Sequence, residues 1–209
     1  MILTRPEGHN ERLAAELRSL PARLRVVIAP LIAIEPIETG PVVLTGYDWL
    51  VLTSATGARE LRRRAVGQPS HVAAVGQATA DAWGGPVDLV PAVSTQEGLL
   101  AEFPPSPGRV LFAGAENARR LLMDELRAEF VALYRTHPVQ PPEPLHGDLV
   151  VLTSPSAASS YAALDLAIPA VTIGPETTRA AGEVGVRVVG EAQTQDTRGL
   201  VSAILRASR

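Results

Sequence analysis

The sequence predicts an α/β fold of two similar domains, each a parallel sheet flanked by helices, the two joined by a two-stranded linker. Three observations carry this. The chain repeats itself: Asp48-Trp49-Leu50-Val51-Leu52-Thr53-Ser54 returns as Asp148-Leu149-Val150-Val151-Leu152-Thr153-Ser154, Ala74 to Thr79 returns as Thr172 to Thr177, and Gly98-Leu99-Leu100 returns as Gly199-Leu200-Val201. Short apolar runs alternate with helical patterns, the signature of parallel strands joined by crossover helices. Two extended, proline-bounded stretches, Pro30 to Ile37 and Val131 to Pro138, occupy equivalent places in the two halves. A unit of about half the chain used twice favours two domains over one core.

The strands are expected at Val26 to Ile28, Leu50 to Leu52, Val72 to Val75, Val87 to Val90, Val110 to Phe112, Val150 to Leu152, Val171 to Ile173 and Val186 to Val189. Ile2 to Glu7, followed by Leu13 and Leu17, resembles Val110 to Glu116 followed by Leu121 and Leu126. Leu13, Leu17 and Leu20 share one helical face, and Leu122, Leu126 and Phe130 stand at near-helical spacing. Ser94 with Glu97 has capping-box spacing, and Thr194 or Asp196 serves similarly before Leu200. If the chain leaves its first domain through one proline-bounded stretch and returns through the other, residues 1–31 join 140–209 in a discontinuous domain. Residues 39–130 then form the continuous one, and 32–38 and 131–139 pair as linker strands.

Composition removes several chemistries. With 209 residues, 46% of them hydrophobic, and a net charge of −3, the chain reads as a soluble globular protein. Its longest basic block is Arg62-Arg63-Arg64, too little for a phosphate-backbone footprint, so no nucleic acid is expected as partner. No apolar run approaches the ~20 residues of a membrane span, and the opening lacks the pattern of a secretion signal; no membrane is expected, and the cytoplasm is the expected location. A monomer is expected. There is no cysteine, which excludes thiolate nucleophiles and thiolate metal sites. All 19 basic side chains counted as Lys or Arg are arginine, which excludes Schiff bases and the P-loop lysine. His9, His71, His137 and His146 are scattered, so no metal is expected.

Parallel sheets place ligands at the carboxyl ends of their strands. The loops expected there are small and hydroxyl-rich: Thr53 to Gly57, Gly76 to Thr79, Gly114 to Asn117, Thr153 to Ser156, and Gly174 to Thr177. Each leads from a strand into a helix, so free backbone N–H groups lie at the positive end of a helix dipole. Any one such loop is explained by helix capping alone. Five facing one cleft would suit a ligand bearing many carboxylates. Thr53, Ser54, Gly76, Ala78, Thr79, Asn117, Ser154, Ser156, Gly174 and Thr177 are therefore the candidate binding residues, and Arg5 stands where it could reach the cleft mouth.

Thr4-Arg5-Pro6-Glu7-Gly8, the run Tyr47 to Gly57, the turn Gly76 to Thr79, Tyr134-Arg135-Thr136, Thr153 to Ser156 and Ile173 to Thr178 follow one another in an order that resembles uroporphyrinogen-III synthase over nearly the whole chain. The connections Arg62 to Val72 and Ser160 to Ala170 are shorter than in that family. The resemblance implies cyclisation of the linear tetrapyrrole hydroxymethylbilane to uroporphyrinogen III, with loss of water and inversion of ring D. It implies an inter-domain cleft, no metal or organic cofactor, and a substrate received from hydroxymethylbilane synthase. It places Tyr134 as the proton donor to the departing hydroxyl and Ser54, Thr79, Ser154 and Thr177 in the cleft; an amphipathic tyrosine packed in a linker is an equal reading of Tyr134. The competing class is a two-domain small-molecule binding or sensor protein of the same fold. A third, a two-domain nucleotide-sugar transferase, needs larger domains.

Overall fold

Short runs of Val, Leu and Ala become parallel strands here because both faces of each sheet are covered, so the runs of the inner strands, such as Val150–Leu152, are buried throughout. A computed structural model describes residues 1–20, 24–38 and 40–208. In chain order the elements are β1 (Ile2–Leu3), α1 (Glu11–Arg18), β2 (Val27–Ile28), β3 (Ile32–Pro36), β4 (Val42–Val43), β5 (Trp49–Leu52), α2 (Ala55–Arg64), β6 (Ala65–Val66), β7 (His71–Ala74) and α3 (Gln77–Trp83). They continue with α4 (Gln96–Glu102), β8 (Val110–Ala115), α5 (Leu121–Glu125), β9 (Glu129–Pro138), β10 (Val150–Leu152), α6 (Pro155–Ala162), β11 (Ala170–Thr172), α7 (Pro175–Glu183), β12 (Val188–Glu191) and α8 (Thr197–Ala207).

The chain divides into two units, one of Met1–Ile34 with Thr136–Arg209 and one of Glu35–Arg135. The expected domain limits at residues 39 and 209 lie outside the described residues. In unit one the sheet order is β12-β11-β10-β1-β2, all parallel. Successive side chains of a strand alternate between faces. Ile2, Val150 and Ala170 accordingly join Ala157, Ala158 and Tyr161 on one side, while Leu3, Val151 and Val171 join Leu13, Leu17, Leu200 and Ile204 on the other. Each fully buried leucine contributes roughly 1.5–3 kcal/mol from burial.

The second sheet has the order β3-β9-β8-β5-β7, with β9, β8, β5 and β7 parallel. The strands β3 and β9 run in opposite directions, since the N–H of Val139 donates to Leu31 O and that of Ile37 to Leu133 O. Val51, Ala73, Val110, Phe112, Leu99 and Leu122 form one core of this unit. Beside it, β4 and β6 make a two-stranded parallel pair.

Three local expectations are corrected. Val87 to Val90 form no strand but a single parallel bridge, Ala73 to Leu89, because the Asp88 carboxylate takes the Val72 N–H at 2.8 Å that a strand carbonyl would otherwise accept. Phe130 does not continue the helix of Leu122: α5 closes at Leu126, Arg127 turns to φ 49°, and Phe130 sits in β9 opposite Phe112. The cap of α4 is Thr95, whose Oγ1 accepts the Gly98 N–H at 3.0 Å, rather than Ser94. Before α8 the cap is Asp196, with Thr194 donating to its carboxylate.

Candidate active site

At the carboxyl end of β5 the chain turns into α2 through Thr53 and Ser54. Ser54 caps that helix, its Oγ accepting the Gly57 N–H at 2.9 Å. The same hydroxyl lies 3.0 Å from the phenolic oxygen of Tyr134, 80 residues away in sequence and two strands away across the sheet. Tyr134 is 8% exposed. Its position is fixed from the backbone: β9 shifts register between Gly114 and Ala115, Ala115 pairs with Tyr134, and the Glu116 N–H donates to the Tyr134 carbonyl at 2.8 Å. Arg135 then reaches back to Glu116 at 3.1 Å. Burial pushes the Tyr134 phenol above its ordinary value, partly offset by the hydrogen bond with Ser54. The group is protonated throughout the neutral range and able to give a proton.

Gly57 lets the start of α2 lie close to the end of β8. A Cβ on Gly57 would lie 3.0 Å from Ser54 Oγ and 3.6 Å from the Ala113 carbonyl, so the start of α2 is packed against the end of β8. Gly76 opens α3 in extended backbone, with Ser94 Oγ 3.0 Å from where a Cβ would stand; Ala78 is exposed in the first turn and Thr79 is buried. Asn117 is exposed in the turn after β8. Thr53, Ser54, Gly76, Ala78, Thr79, Asn117 and Tyr134 thus all belong to unit two.

Unit one holds Arg5, Ser154, Ser156, Gly174 and Thr177. Ser154 repeats the Ser54 cap, accepting the Ala157 N–H at 3.1 Å. Gly174 repeats Gly76, with the Gln195 side chain 3.0 Å from a would-be Cβ, and Thr177 is buried one turn in. Pro155 and Pro175 begin α6 and α7, so each of these turns offers one N–H fewer than its counterpart in unit two.

Arg5 stands two residues past the end of β1, which lies between β10 and the edge strand β2. It is half-buried, its guanidinium has no hydrogen-bond or ion-pair partner among the described residues, and burial pulls that group below its ordinary value. The fully buried Asn10 holds its backbone, donating from Nδ2 to the Arg5 carbonyl at 2.8 Å. A desolvated cation without a counter-charge is costly, and a carboxylate of a ligand would offset that cost. Sequence reasoning missed Asn10, Gly57, Glu116 and Arg135, which act by supporting other residues. Only the three-residue step from Ser54 to Gly57, repeated from Ser154 to Ala157, was a signal that could have found any of them.

The chain matches a family model described as Uroporphyrinogen-III synthase HemD over residues 11–202. The uroporphyrinogen-III synthase of Synechococcus elongatus is 27% identical, over 100% of this chain and 95% of that protein. A crystal structure of a mutant uroporphyrinogen III synthase from the extremely thermophilic bacterium Thermus thermophilus shares the fold at a TM-score of 0.65 and 17% identity, covering 99% of this chain and 98% of that one. The enzyme from Helicobacter pylori does so at 0.57 and 16%, covering 90% and 95%. No helix among the described residues is long and apolar enough to cross a membrane. The family match favours the enzyme over the sensor or binding-protein reading, and by it the chain belongs to the uroporphyrinogen-III synthase family, lyases of tetrapyrrole biosynthesis.

Proposed function

We propose that the chain closes hydroxymethylbilane to uroporphyrinogen III with Tyr134 as the proton donor to the departing hydroxyl and with the strand-to-helix turns and Arg5 as seats for the substrate's carboxylates. The observation that carries this is a buried, protonated phenol fixed at the carboxyl end of a parallel sheet by Ser54 at 3.0 Å. The electron-rich pyrrole expels the hydroxyl once it is protonated, ring D is attacked through a spiro intermediate, and the bond rearranges to invert that ring. No step calls for a redox or metal centre. The main task is to hold a flexible chain folded, which suits many small anion seats better than one strong cation.

Thr53, Gly76, Ala78, Thr79 and Asn117 in one unit, and Ser154, Ser156, Gly174 and Thr177 in the other, are assigned to binding through hydroxyls and free N–H groups of the first helical turns, with Ser54 seating the substrate through its backbone alone. Because hydroxymethylbilane closes unaided to the I isomer, hand-over from hydroxymethylbilane synthase is the expected route of supply. The test is to add the protein to hydroxymethylbilane freshly made from porphobilinogen and separate the isomers by chromatography. Accumulation of isomer III is expected; isomer I at the spontaneous rate would overturn the proposal.

A further inference from the structure

We propose that Ser54 is a positioning residue for Tyr134: its hydroxyl donates to the phenolic oxygen and so leaves the Tyr134 proton free to go to the substrate. A serine hydroxyl has one proton to give and two lone pairs to receive. The Gly57 N–H occupies one lone pair at 2.9 Å, and Tyr134 at 3.0 Å is the other hydrogen-bond partner of that oxygen among the described residues. If the phenol donated to Ser54 instead, its proton would be spent inside the protein. Capping alone does not require the contact. Ser154 caps α6 with the same three-residue step, and no phenol is bonded to it among the described residues.

The chain of donors therefore runs from the Gly57 amide to Ser54 and from Ser54 to Tyr134, each bond polarising the next. As the phenol O–H breaks, a new O–H bond forms on the leaving hydroxyl, its C–O bond breaks and water departs. The phenolate left behind keeps the Ser54 O–H as donor. It recovers a proton from the pyrrole carbon that loses one when the closed ring regains aromaticity, so no other reagent is required.

The proposal rests on Tyr134 being the proton donor, and a double-mutant cycle separates the two. The variants are Ser54→Ala, Ser54→Thr, Tyr134→Phe and the Ser54→Ala/Tyr134→Phe double, assayed on fresh hydroxymethylbilane with kcat and KM resolved, and with folding checked by circular dichroism. Hydrogen bonds to charged groups are strong enough that Ser54→Ala should lower kcat about 10- to 100-fold with KM nearly unchanged. Ser54→Thr, which keeps both the cap and the O–H, should restore most of it. In the Tyr134→Phe background Ser54→Ala should cost nothing further. Independently of turnover, the ultraviolet titration of Tyr134, isolated by subtracting the Phe variant, should move to higher pH in Ser54→Ala. An equal loss in both backgrounds, a loss confined to KM, or an unmoved titration would overturn the positioning role while leaving Tyr134 as donor. A Tyr134→Phe protein as fast as the wild type would remove the donor itself, and the proposal with it.

Discussion

The two units share one plan and differ in what stands at the strand ends. Read from one edge, unit one runs β12, β11, β10, β1, β2, and unit two runs the Leu89 bridge, β7, β5, β8, β9. Leu3 lies across from Val151 just as Phe112 lies across from Val51, so two residues further on Arg5 is the counterpart of Gly114. Where unit one places a half-buried cation, unit two has a glycine, and it is in unit two that Ser54 and Tyr134 meet. Under the proposed function this difference becomes a division of labour on a duplicated scaffold: Arg5 of one unit would anchor an anion, and Tyr134 of the other would supply the acid. A second contrast lies at the edge. In unit one Thr172 and Thr178 are bonded at 2.6 Å, and Thr178 donates to Glu191 of β12. Their counterparts by the repeat are Ala74 and Ala80, which have no hydroxyl to hold an edge strand.

The largest effect should follow from removing the acid. General acid catalysis contributes roughly 100- to 10,000-fold, and because pyrroles expel hydroxyl readily Tyr134→Phe should fall near the lower end in turnover. Stopped-flow measurement of isomer III formation, with spontaneous isomer I subtracted, checks this. Next comes the anchor. Arg5→Met, which keeps the apolar stem, should raise KM about 10- to 100-fold with kcat little changed. Arg109→Ala, which removes an exposed arginine paired with Glu129, should alter neither. An equal response of the two arginines would erase the distinction between them.

The strands were legible because parallel strands buried on both faces read as apolar runs, and the repeat was legible because each unit reuses the same strand-to-helix turn. The edge at Val87 to Val90 was not, since apolar pattern is blind to the Asp88 side chain occupying a ladder donor. Nor was the end of α5: Arg127 takes the left-handed conformation that usually announces itself as glycine. Tyr134 and Ser54 stand 80 residues apart, and only the order of β9, β8 and β5 brings them together. The resemblance named both residues; their contact had no trace in the sequence.

Smaller effects concern stability. Ser154→Ala removes a helix cap and should cost about 1 kcal/mol in chemical denaturation, with KM rising modestly and kcat retained. Thr178→Ala should loosen β12 and cost about 1 kcal/mol, seen as faster amide exchange at Val188 to Glu191. The smallest effect is at alkaline pH. Since burial raises the Tyr134 value in the fold, its contribution is complete below the unfolded phenol value of about 10 and is lost as pH rises through the higher folded value. Tyr134→Phe should therefore flatten part of the fall in thermal midpoint above about pH 10, Tyr47 and Tyr161 supplying the rest.

The division of labour is tested most directly by binding without turnover. Calorimetric titration of uroporphyrinogen III, kept reduced under anaerobic conditions, into the wild type, Tyr134→Phe and Arg5→Met separates anchoring from acid catalysis. The account predicts that Tyr134→Phe binds the product nearly as the wild type does, while Arg5→Met binds it about 10-fold or more weakly. Loss of affinity in Tyr134→Phe with full affinity in Arg5→Met would contradict it, placing the anchor in the unit assigned the chemistry.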